Sequence, residues 1–140
     1  MYGDELEKSL SYSANTFASS YIENLGDGTF KVTELPNQAQ FSSVNDILLK
    51  DINNDGNKDI ILAGNLYTSE IETPRNDAGY GLFLKGNGKG EFNPVSSSES
   101  GLFVEGDTKI MKLVKLGKYD KLGLIFSKNN DYIQLLQVNN

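Results

Sequence analysis

The chain has 140 residues and a mass of 15.4 kDa, which suits one modest domain or a piece of a larger protein. Thirteen Lys and Arg against nineteen Asp and Glu give a net charge of -6, the wrong sign for sequence-independent binding to nucleic acid or anionic lipid. With neither histidine nor cysteine, triad hydrolysis, thiolate chemistry, the usual zinc and iron sites and disulfides are excluded; carboxylates, amides and hydroxyls remain, and these suit hard cations such as calcium.

Residues 1–18 read as a lead-in segment or a strand from a preceding unit. Within them Asp4-Glu5-Leu6-Glu7-Lys8 could open a helix, whereas Ser11-Tyr12-Ser13 looks extended. The start is acidic where a secretory leader would be basic, and no apolar stretch follows it. Tyr21-Ile22 and Phe30-Lys31-Val32 then flank Asp27-Gly28, a hairpin signal, because such residues accept positive φ cheaply. Val44 to Leu49 and Ile60 to Ala63 are short apolar segments of strand length. The second holds the longest apolar run, far short of the roughly 20 residues of a spanning helix, so membrane insertion is not expected.

Further along, Glu70, Glu72, Arg75 and Asp77 share a Pro-containing connection. A carboxylate pair for glycoside hydrolysis or an Arg clamp on an anion is the sharper reading, and an Arg–carboxylate pair ordering a long loop the plainer and preferred one. Gly86-Asn87-Gly88-Lys89-Gly90 resembles a phosphate loop only superficially, since Glu91-Phe92-Asn93-Pro94 opens a helix poorly; a hairpin is expected. Ser96-Ser97-Ser98 reads as plain loop. Lys109 to Leu116, Leu122 to Phe126 and Tyr132 to Val138 read as strands, the last of them closing the chain. Tyr21, Tyr67, Tyr80 and Phe83 are expected in the core between units. The fold class is therefore all-β.

Two units are visible. Gly-x-Gly-x-Phe at Gly26, Gly28 and Phe30 recurs at Gly88, Gly90 and Phe92, 62 positions later. Each copy is followed by a Pro- or Ser-containing loop, an apolar segment, a turn and a second apolar segment. A period of about 60 residues with four short strands points to propeller-like blades rather than a helical solenoid. The boundaries drawn are 1–18 for the lead-in, 19–80 for the first unit and 81–140 for the second.

One motif carries chemistry. Asp51-Ile52-Asn53-Asn54-Asp55-Gly56-Asn57-Lys58-Asp59 places oxygen-bearing side chains at loop positions 1, 3, 5 and 9, with glycine at 6. Calcium takes six to eight oxygens at about 2.3–2.6 Å, and odd spacing turns alternate side chains toward one ion. The candidate ligands are the side chains of Asp51, Asn53, Asp55 and Asp59 and the carbonyl of Asn57. An EF-hand needs an acid at position 12 and flanking helices. Position 12 is Leu62, and the upstream flank is strand-like, so EF-hand and dockerin readings both fail.

This loop, followed by apolar residues and preceded by Asn24-Leu25-Gly26-Asp27-Gly28-Thr29-Phe30, resembles the FG-GAP or VCBS-type repeat of integrin-α-like β-propellers. The stretch from Ala63 to Leu82 is similar to C-terminal repeats of exported proteins of Bacteroidetes type. The resemblance implies antiparallel β-propeller-like blades, about two repeats of an incomplete propeller, with calcium on Asp51, Asn53, Asp55, Asn57 and Asp59. In the second unit, Lys115-Leu116-Gly117-Lys118-Tyr119-Asp120-Lys121 replaces the loop, so one calcium site is expected rather than two.

A full propeller of such blades needs about 360–430 residues. The expectation is accordingly a C-terminal fragment of a longer exported protein, placed outside the cell, at its surface or in the periplasm. The function expected is a non-enzymatic, calcium-stabilised module that presents loops to a protein or glycan partner, with self-association through exposed blade faces. An accessory, non-catalytic region of a secreted carbohydrate-active enzyme is the alternative.

Overall fold

The computed structural model describes residues 9–117 and 121–139. It is all-β, built from three antiparallel sheets, none of which closes on itself. A two-stranded sheet pairs β1 (Ser20–Asn24) with β2 (Phe30–Glu34). A four-stranded meander follows, in the order β3 (Val44–Lys50), β4 (Asp59–Gly64), β5 (Leu82–Gly86) and β6 (Phe92–Val95). The third sheet orders β7 (Thr108–Leu116), β8 (Lys121–Lys128) and β9 (Gln134–Gln137). Pro94 lies in β6, an edge strand, where a missing N–H costs no ladder bond.

The four-stranded sheet is the middle layer. Ile61 and Ala63 of β4 pack with Leu102, Val104, Met111, Leu124 and Phe126 on the side of the third sheet. Ile60 and Leu62 point the opposite way, into a cluster with Leu35, Ala39 and Leu84 that Tyr21 and Phe92 border. This explains why β4 is buried from Asp59 through Ala63 without alternation: both faces are covered, so an unbroken apolar run is needed. β2, by contrast, is exposed at every position.

The hairpins correspond in pairs. Adding 62 to the partners Tyr21↔Thr33 gives Phe83↔Val95, which are also paired. Adding 64 to Leu49↔Ile60 gives Leu113↔Leu124, paired likewise. The irregularities coincide too, one between Val44 and Asp46 and the other between Thr108 and Ile110. The sheets do not follow the unit boundaries read from the sequence: the middle sheet joins β3–β4 to β5–β6.

Some local expectations are corrected. Ser96-Ser97-Ser98 is not plain loop: Ser96 caps a one-turn helix, α1 (Ser97–Ser100), by accepting from the Glu99 amide, and Gly101 ends it at φ 69°. A 3-10 turn, Asn37–Gln40, follows Pro36. The closing strand is shorter than Tyr132 to Val138, because Tyr132 and Ile133 are exposed and unladdered. Tyr21 and Phe83 border the core as expected. Tyr80 instead stacks on Phe103 with both rings half exposed, and Tyr67 carries the Arg75 guanidinium 4.5 Å above its ring. The Asp4–Lys8 helix start and Lys118, Tyr119 and Asp120 lie outside the described residues.

Candidate metal centre

Residues 51–58 connect β3 to β4, so the motif lies between two strands, and Gly56 turns the chain at φ 88°. Asn54 also takes a left-handed conformation, at φ 57°. The loop is wound around its own amides. The Asp55 N–H reaches Asp51 Oδ1 at 3.2 Å and Asn53 Oδ1 at 3.1 Å, and the Gly56 N–H donates to Asp51 Oδ2 at 2.9 Å. Asp55 Oδ1 accepts from the Asn57 N–H at 2.9 Å, and its Oδ2 accepts from Asn53 Nδ2 at 2.9 Å. Asp51, Asn53 and Asp55 are thereby gathered at one point of the loop.

Asp59 is different. It is fully buried, and its carboxylate ties the loop to the neighbouring strand, Oδ2 accepting from the Ile52 N–H and Oδ1 from the Gly86 N–H, both at 3.0 Å. β5 and its turn press against this end of the loop. A Cβ on Gly86 would stand 2.0 Å from the Lys58 carbonyl oxygen, and one on Gly88 would stand 2.4 Å from Asn57 Oδ1. Packing against backbone requires glycine at position 86, whereas at 88 a positive φ of 73° favours it.

The remaining contact is ionic. Lys85, from β5, places its ammonium 3.3 Å from Asp55 Oδ2. The amide of Asn57, the side chain of Asn53 and this lysine hold the Asp55 carboxyl below its ordinary range. The sequence reading gave Lys85 no role, although a signal existed: the equivalent strand position in β1 is Glu23, of opposite charge.

The donor chemistry fits a hard cation in part. Each carboxylate oxygen that accepts one amide retains a second acceptor direction, and a cationic group already sits on Asp55. Asp51, Asn53 and Asp55 share one neighbourhood, and Asp59 anchors the loop from beneath. Among the described residues, no group of three or more acidic side chains has closed to metal-ligating geometry. An ion would have to draw Asp51 and Asp55 inward and displace Lys85.

The second candidate cluster resolves into its plainer form. Arg75 Nε pairs with Asp77 Oδ2 at 3.1 Å in the open, and the Leu66↔Asn76 bridge and the Thr73-to-Glu70 turn order the loop around it. Glu70 and Glu72 stand exposed nearby in sequence, with no enclosing cleft. No protein-family model, curated protein or solved structure matches this chain. Among the described residues no helix is long and apolar enough to cross a membrane.

Proposed function

We propose that this chain is a non-enzymatic, calcium-stabilised β-repeat module of FG-GAP or VCBS type, exported from the cell and presenting its loops to a protein or glycan partner. The observation that carries this reading is the 51–59 loop, whose odd-spaced oxygen donors Asp51, Asn53 and Asp55 wind around the Asp55, Gly56 and Asn57 amides between two strands. In the same reading, the meander β3–β6 is one blade, with β1–β2 and β7–β9 belonging to its neighbours. The equal registers of the paired hairpins support that assignment. When bound, calcium would supply a charge centre that holds Asp51, Asn53, Asp55 and the Asn57 carbonyl together. The protein's own part is to orient those oxygens through the Asp55, Gly56 and Asn57 amides and to brace the loop through Asp59. Its role is structural, pinning the end of a hairpin.

Calcium titration by calorimetry, with thermal melts in calcium and in chelator, tests the proposal on wild type and Asp55→Ala. One-site binding is expected in wild type alone. At a hundredfold excess of calcium over Kd, the stabilisation is about 2.7 kcal/mol. Absence of binding heat and an unchanged melt up to about 10 mM calcium, well above the Kd range of extracellular calcium modules, would remove the metal from this reading.

A further inference from the structure

We propose that Lys85 is an internal competitor for the cation, occupying Asp55 in the ion-free protein and leaving it when calcium binds. This rests on the calcium reading of the loop. The geometry is specific: Lys85 comes from β5, outside the loop sequence, and its ammonium lies 3.3 Å from Asp55 Oδ2. Asp55 is the carboxylate at the turn of the loop, and the same Oδ2 also takes the Asn53 side-chain amide. Both donors occupy directions that an ion needs. The Lys85 backbone is fixed by pairing with Asn93, while its side chain is about half exposed and free to swing.

A lysine placed this way acts on calcium binding twice. The ion must break the existing pair, and it must tolerate a unit positive charge nearby unless the side chain moves off. An exposed ion pair alone is worth a small factor, and like-charge repulsion at a few ångströms adds to it. Removing the charge should therefore tighten binding by about three- to ten-fold. A direction for the departing side chain exists. Lys85 also lines a groove of about 510 Å³ between the middle and third sheets, floored by Ile61, Phe83, Leu102 and Leu124 and carrying Glu99. Calcium at the loop would thus release a cation into that groove, linking the hairpin end to the interface between two sheets.

The test is calcium chloride titration by calorimetry of wild type, Lys85→Met, Lys85→Gln and Lys31→Met. The last removes the same charge from exposed β2, and melts confirm folding of each variant. Tighter binding in both Lys85 variants, with Lys31→Met at the wild-type affinity, is expected. Binding by the Lys85 variants alone overturns the exchange as stated, because the native chain then takes no calcium, and removes the metal from the proposed function as well. Equal affinity in all four, or weaker binding in the Lys85 variants, overturns the competitor role and leaves the calcium loop standing. No binding by any of them overturns both, since there is then no cation for Lys85 to oppose.

Discussion

Hairpins β3–β4 and β7–β8 have the same pairing 64 residues apart and different ends. In the first, the ladder stops at Lys50↔Asp59 and eight residues form the polar loop. In the second it continues two pairs further, through Lys115↔Leu122 and Leu116↔Lys121. Position 59 is a buried carboxylate; its counterpart is Gly123, where a Cβ would stand 2.8 Å from Leu116 Cδ1. The two ends solve one problem, the unpaired amides of a chain reversal, in opposite ways. The loop satisfies them with Asp and Asn oxygens, and the longer hairpin with more ladder. Among the described residues, the first solution leaves acceptor oxygens over for a ligand.

The bulges show a parallel divergence. Asn45 donates from its side chain to the carbonyls of Asn65 and Thr108. Lys109, at the equivalent place, sets its ammonium 2.6 Å from the fully buried Asp107 Oδ1, which takes no directed hydrogen bond and relies on that charge. A neutral tie between sheets in one hairpin corresponds to an ion pair within the other.

The largest effect expected on this comparison comes from the core ends of the ladders. Phe126 is fully buried, whereas Ile47, on the partner strand of the other hairpin, is 56% exposed. Phe126→Ala should cost about 3–5 kcal/mol and Ile47→Ala less than about 1 kcal/mol in urea unfolding. Similar costs would mean that the Ile47 side chain is covered as well. Next come the buried polar groups. Asn65 is 1% exposed, and its side chain bonds Gly79 twice, Gly106 and Ser42; its counterpart Asn129 lies in the open. Asn65→Ala should cost about 2–4 kcal/mol and Asn129→Ala under about 1 kcal/mol, judged by thermal melts.

Asp59→Ala would strand the Ile52 and Gly86 amides and should cost about 2–3 kcal/mol, with β5 amides near Gly86 losing exchange protection. An unaltered exchange pattern would show that Asp59 does not brace the loop. The smallest effect concerns the β1–β2 turn. There the Thr29 hydroxyl first, and its amide second, hold the exposed Asp27 carboxyl below its ordinary 3.8. Because the folded value is lowered, that stabilisation is complete above about pH 4 and is lost as pH falls through the folded value. The Thr29 amide proton, followed by NMR between about pH 5 and 2, should report the loss, and Thr29→Ala should shift the transition upward.

Much of this was legible in the sequence, for identifiable reasons. Positive φ narrows the choice of residue, so Gly28 and Gly88 announced their hairpins. β4 was visible because a strand covered on both faces must be apolar throughout. The signal for α1 was present and overlooked: Ser96 and Glu99 have cap spacing, yet a run of serines looks like loop. The division into sheets was not legible, since β4 and β5 meet across residues 65–81 and nothing local encodes that pairing. At the candidate site, the gathering of Asp51, Asn53 and Asp55 in one loop between two strands was readable from spacing. The separate fate of Asp59 and the arrival of Lys85 depend on β5, distant in sequence, and no motif reports a neighbour of that kind.

The middle sheet has two covered faces: the third sheet lies on one, and on the other lie Tyr21 of β1 and the segment after β2 that carries Leu35 and Ala39. Such a stack behaves as a short one-dimensional chain of nearest-neighbour couplings. Losing either outer layer removes one interface, while losing β4 removes both. Fluctuations should therefore run inward from the ends, and the amides of Ile61 and Leu62 should be the last to exchange with solvent.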